Sequence, residues 1–158
     1  MKLTANFTLD ELTKSQTAER KGINNNPSPK QIENLKALAV NILQPIRSHY
    51  NEALQISSGF RCAELCVAIG SKITSQHVAD ENAAAADFEI WGRDNKEVAT
   101  YIRDNLEFDQ LILEFYQQGK PSSGWVHCSY KTDGNNRGKI MTALRVNGKT
   151  EYKEGLIQ

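Results

Sequence analysis

Two histidines and a carboxylate are the residues of this chain best suited to chemistry. His77 lies in Ser75-Gln76-His77, and Asp87 follows a run of four alanines and leads into the apolar stretch Phe88-Glu89-Ile90. A second imidazole, His127, sits inside the strand-like run Trp125-Val126-His127-Cys128-Ser129-Tyr130. Two imidazole nitrogens and one carboxylate oxygen make a donor set suited to a catalytic zinc, which keeps a fourth position open for water. Taken singly, a histidine is more often a surface or hydrogen-bonded structural residue, so the reading rests on the three side chains together.

Two further charges stand in unusual places. Glu114 closes the run Asp109-Gln110-Leu111-Ile112-Leu113, an otherwise apolar strand pattern in which an ionised carboxylate is costly unless paired or functional. Arg61 follows Ser58-Gly59-Phe60, where a predicted strand empties into a loop. A guanidinium there either receives a substrate carboxylate or an oxyanion, or forms a structural ion pair.

The elements that must carry these residues are legible from periodicity and capping. Thr8 and Glu11 have capping-box spacing and predict a short helix that fades before Gly22. A turn at Asn24-Asn25-Asn26-Pro27 precedes a second start signal, Ser28-Pro29-Lys30-Gln31. The helix that follows places Ile32, Leu35, Ala39, Ile42, Leu43 and Ile46 on one stripe, with Pro45 expected to bend it and His49 solvated beyond. A short strand over 54–57, a small helix over 63–69 and a helix capped by Asp94 come next. Along the strand from Trp125, alternation puts Trp125, His127 and Ser129 on one face. Residues 141–146 and 149–152, joined by Asn147-Gly148, predict a closing hairpin with a type I′ turn.

With 158 residues, 39% of them hydrophobic, the chain suits one domain spanning 1–158. Nineteen basic residues balance nineteen acidic ones, so no global field favours nucleic acid or an anionic membrane. No apolar run reaches the length of a membrane span, and the first residues lack the apolar core of a signal peptide; synthesis in a cytoplasm and a monomeric state are expected. Cys62, Cys66 and Cys128 lack paired CxxC spacing and are expected to be buried free thiols.

Five short runs occur in one order: Ser57-Ser58-Gly59-Phe60-Arg61, Ser75-Gln76-His77, Ala85-Ala86-Asp87-Phe88, Phe108 through Glu114, and Trp125-Val126-His127-Cys128-Ser129. Together, from about Phe7 to at least Tyr130, the chain resembles the zinc peptidases that cut bacterial peptidoglycan stem peptides. These are the D-Ala-D-Ala carboxypeptidases and phage L-alanyl-D-glutamate endolysins, which share their fold with the hedgehog signalling domain. The resemblance implies an α+β fold, in which a small antiparallel sheet carries the zinc site and helices pack on it. It implies Zn2+ held by His77, Asp87 and His127, with Glu114 as general base and Arg61 supporting substrate or transition-state charge. Ser75 and Gln76 match residues of the site's wall, and Trp125 joins them as a substrate-binding residue.

The implied partner is a stem peptide, cut as by a D-Ala-D-Ala carboxypeptidase or an L-Ala-D-Glu endopeptidase. The missing secretion signal fits a phage lysin or virion-associated wall hydrolase acting at the cell wall. Nine residues separate His77 from Asp87 and none is glycine, a longer separation than the family pattern. The extra residues, Asp80 and Glu81 among them, must bulge, and Asp80 is the alternative ligand to Asp87. The loop between Glu114 and His127 is also longer than the pattern. These departures keep open a non-catalytic zinc-bearing binding module, as the hedgehog domain exemplifies.

Overall fold

The computed structural model describes residues 1–80 and 82–157; Glu81 of the expected bulge lies outside them. A six-stranded sheet has the order β1-β2-β4-β3-β5-β6. The strands are β1 (Gln55–Ser58), β2 (Ala83–Glu89), β3 (Gln110–Glu114), β4 (Trp125–Lys131), β5 (Lys139–Val146) and β6 (Lys149–Glu154). Every neighbouring pair is antiparallel except β3 and β5, which run parallel. The helices are α1 (Leu9–Thr13), α2 (Gln16–Lys21), α3 (Pro29–Leu38), α4 (Gln44–Tyr50), α5 (Ala63–Ala68) and α6 (Asn95–Asn105). The protein is therefore α+β with a mostly antiparallel sheet, as the family resemblance implies. No helix among the described residues is long and apolar enough to cross a membrane.

Strand alternation divides the sheet into two chemistries. Ala84, Ala86 and Phe88 of β2, Leu111 and Leu113 of β3, and Val126 and Cys128 of β4 face a core shared with Leu35, Leu38, Ile42, Ile46, Val98 and Ile102 of the helices. The opposite face carries Asp87, Glu114, Trp125 and His127 and forms the floor of a cleft. One face thus anchors the sheet while the other stays open to a ligand.

Several local expectations meet corrections. The first predicted helix is broken in two, because Ser15 offers a second N-cap and its hydroxyl accepts from the Ala18 N–H. The long helix continues to Tyr50 through a π-helical segment at Ala39–Leu43. Pro45 has no N–H to offer the carbonyl four residues back, and widening the preceding turn accommodates that loss. His49 is exposed as expected, yet it also stacks on Tyr101 at 3.9 Å between ring centroids. Asp87 does not begin its strand: β2 starts at Ala83, so the alanine run is itself strand. Alanine is a poor strand former, but α3 lies against β2, and small side chains permit that approach. Cys66 and Cys128 are buried and Cys62 is half-buried, all three as free thiols.

A buried ion pair fixes the far end of the sheet. Asp109 is fully buried ahead of β3, and its carboxylate accepts hydrogen bonds from Gln76 Nε2 at 2.7 Å and from Arg137 N, Nε and Nη2 at 3.1, 3.0 and 2.8 Å. Burial alone would raise its pKa, but the hydrogen bonds from Arg137 and Gln76 prevail and hold it at about 2. Its folded pKa lies below the unfolded value, so its contribution to stability is present above pH 4 or so and is lost as pH falls toward about 2. Thermal melts of wild type and Asp109→Asn should keep a constant Tm gap from about pH 7 to 5, narrowing between about pH 4 and 2. A gap indifferent to pH would remove the carboxylate's charge from the stability of this corner.

Candidate metal centre

Three elements bring the two histidines and the carboxylate together. His77 stands in a 3-10 turn at Gln76–Val78, and the register of β2 on β4 sets Asp87 directly opposite His127. One donor atom from each lies within 4.8 Å of the other two. Asp87 Oδ1 is 2.9 Å from His127 Nδ1 and 3.4 Å from His77 Nε2. Arg61 Nη2 stands 3.6 Å from the other carboxylate oxygen.

The donor chemistry fits a divalent cation. His77 Nδ1 is 2.7 Å from the Gly59 carbonyl oxygen, which can only accept, so Nδ1 carries the hydrogen and Nε2 presents its lone pair toward Asp87. A backbone carbonyl that fixes a histidine's tautomer in this way is the usual outer support of a metal-ligating imidazole. Burial lowers the pKa of His77 despite the opposing pull of Asp87, which favours the neutral, ligating form. Burial opposes ionisation of Asp87, but the hydrogen bond from His127 and the neighbouring His77 imidazole prevail and hold its pKa well below the ordinary range. His77, Asp87 and His127 are therefore able to hold one ion with N, N and O donors.

The His77 turn is tethered on three sides. Gln31 Nε2 donates to the Val78 carbonyl at 3.0 Å, Asn34 Nδ2 to the Ala79 carbonyl at 2.8 Å, and the Arg61 N–H to the His77 carbonyl at 2.9 Å. Asn25 clamps the neighbouring loop, donating to the Thr13 and Phe60 carbonyls and accepting from the Cys62 N–H. The nine-residue separation closes through left-handed backbone at Ala79 and Asn82, with φ of 60° and 76°. Asp80 is exposed, accepts from Gln31 at 3.0 Å and stands apart from the three-residue cluster. Asp87, not Asp80, is the carboxylate that meets the histidines.

The remaining predicted residues line the same cleft, which has a volume of about 860 Å³. Burial and the charge of Asp87 raise the pKa of Glu114, while His127, the Trp125 indole and Arg61 pull it back. The Trp125 N–H is buried and faces Glu114 without completing a hydrogen bond. Gly124, with φ of 66°, permits the chain to pass behind Glu114, whose carbonyl oxygen a Cβ would strike. Arg61 Nε donates to Ser58 Oγ at 2.8 Å, leaving its outer nitrogens toward Asp87 and the cleft. Ser75 Oγ accepts from the His77 N–H at 3.2 Å, and Gln76 is committed to Asp109. Sequence reasoning missed Lys131, Arg137 and Tyr152 on the cleft wall. Lys131 continues the alternation of Trp125, His127 and Ser129 and was open to detection; the other two depend on chain pairing.

Gly59 couples the packing of this site to its chemistry. Its own carbonyl orients His77, and a Cβ at this position would collide with the Leu12 carbonyl of α1. Gly59→Ala is expected to cost about 1–3 kcal/mol in urea unfolding, as overpacking does. Wild-type stability in that variant would show that the loop yields freely and does not fix the imidazole.

The comparisons agree with the geometry. The family model of Peptidase M15 matches residues 5–129, which span all three candidate ligands, Arg61 and Glu114. No curated protein matches the chain. With the greater part of its length matched and a His-Asp-His cluster of the kind a zinc peptidase requires, the chain belongs to the Peptidase M15 family of metallopeptidases.

Proposed function

We propose that this protein is a zinc peptidase that hydrolyses a peptide bond in bacterial peptidoglycan stem peptides. The observation that carries the reading is the buried convergence of His77, Asp87 and His127 on the floor of an open cleft, within a chain of the Peptidase M15 family. Both the D-Ala-D-Ala carboxypeptidase and the L-Ala-D-Glu endopeptidase type belong to the proposal, as does a role as a phage lysin or virion-associated wall hydrolase. Residues 1–158 are proposed to act as one domain and as a monomer.

Zinc, when held by the three ligands, lowers the pKa of water from near 16 to about 7 and polarises a carbonyl. The chain's own residues supply the rest. Glu114, on the cleft face two residues along β3 from the level of His127, is proposed as the general base, taking a proton from the attacking water and passing it to the leaving amine. Its raised pKa suits both transfers, since a carboxylate nearer neutrality both accepts and returns a proton readily. The outer nitrogens of Arg61 are proposed to meet negative charge on the reacting carbonyl oxygen. Ser75, Gln76 and Trp125 would shape the walls that receive the peptide.

The longer His77–Asp87 separation is the feature that favours a non-catalytic module; against it stands the approach of Asp87 to both histidines. Two outcomes are expected. Purified protein should carry about one zinc per chain, and a saturating hundredfold excess over Kd should stabilise the metal-free form by about 2.7 kcal/mol. Asp87→Ala should lose that response in calorimetric melts, and an equal response would place the metal elsewhere. Glu114→Gln should keep its zinc while hydrolysis of stem peptides, followed by mass spectrometry, falls by about 10²–10⁴-fold. Undiminished hydrolysis would remove Glu114 from the reaction, and zinc without hydrolysis in wild type would restore the binding module.

A further inference from the structure

The family match ends at residue 129, but the cleft continues beyond it. The face of β4 that carries His127 runs on to Lys131, and the loop after it brings Arg137 to the same end of the cleft. Asp109 lies between them. It holds Arg137 through Nε and Nη2 and stands 3.7 Å from Lys131 Nζ. One carboxylate thus faces two cations.

That carboxylate is already occupied by four donors, from Arg137 and Gln76. Lys131 is attracted to it from beyond hydrogen-bonding distance. The two basic side chains keep 30% and 49% of their surface in solvent, respectively. Arg137 Nη1 and the Lys131 ammonium have no hydrogen-bond acceptor among the described residues. Of the other acids of the cleft, Asp87 is engaged with the histidines and Asp80 with Gln31, and Glu114 lies at the opposite end of its strand from Asp109.

We propose that Lys131 and Arg137 form a subsite for a free carboxylate on the peptide substrate, with Asp109 as the buried residue that positions Arg137. This deepens the peptidase reading and rests on it. Four residues of strand separate His127 from Lys131, about 13 Å, which is about four residues of extended peptide. The long side chains of Lys131 and Arg137 shorten that backbone span on the substrate's side. The subsite would receive a carboxylate of the peptide at the end of the cleft beyond His127.

Two synthetic stem peptides, one with its free carboxylates and one with them converted to carboxamides, test the subsite by isothermal titration and by cleavage with the zinc-loaded protein. Wild type should bind the carboxylate form about tenfold more tightly, as a charge-assisted contact predicts. Lys131→Gln and Arg137→Gln should together bring that ratio near one. Should Arg137→Gln unfold, by stripping buried Asp109 of its two guanidinium hydrogen bonds, Lys131→Gln alone keeps the Arg137 pair and should still shrink the ratio by about threefold. Equal wild-type affinity for both peptides, binding of neither, or a ratio unchanged in Lys131→Gln overturns the subsite. Preference without cleavage leaves the subsite standing and removes the peptidase reading; cleavage without preference does the reverse.

Discussion

The structure turns on a carboxylate kept ionised where burial would neutralise it. Asp87 is almost wholly buried in the sheet, and a lone charge in such a place is prohibitively costly. It persists because His127 meets one oxygen at 2.9 Å, His77 approaches that oxygen from the turn, and Arg61 faces the other. Each partner comes from a different segment of the chain, so the carboxylate can be satisfied only when the fold is complete.

That requirement explains the layers around it. The β2 and β4 register fixes one imidazole, while the tethers from Gln31, Asn34 and the Arg61 backbone fix the turn that carries the other. Behind the sheet, the alanine-rich face of β2 lets α3 approach closely enough for Gln31 and Asn34 to reach the turn. Core packing and ligand placement are thus two faces of the same strand. A cation held by these three side chains would replace a network of donors with a single charge centre, while the hydrogen bond from His77 Nδ1 to the Gly59 carbonyl supports the imidazole from outside.

Much of this was legible in the sequence because it is local. Ser28 and Gln31 form the capping box that their spacing predicts, and Asn147 and Gly148 adopt the two positive φ angles of the expected turn. The alternation from Trp125 placed His127 on the correct face. Features that depend on partners were not legible. The alanine run carries no strand signal of its own until α3 covers it, and the parallel pairing of β3 with β5 joins segments with no mutual signal. The buried Asp109 pair and the cleft wall at Arg137 likewise arise from pairing across the chain. The π segment before Pro45 marks an intermediate case, since proline predicts a disturbance but not its form.

The central claim, that three distant side chains share one divalent ion, is tested most directly by anomalous diffraction at the zinc edge on crystals grown with the metal. The account predicts one strong peak about 2.0–2.2 Å from His77 Nε2, His127 Nδ1 and an Asp87 carboxylate oxygen. A peak held by other residues, or an ordered site in which Asp87 stays outside coordinating distance, would contradict it.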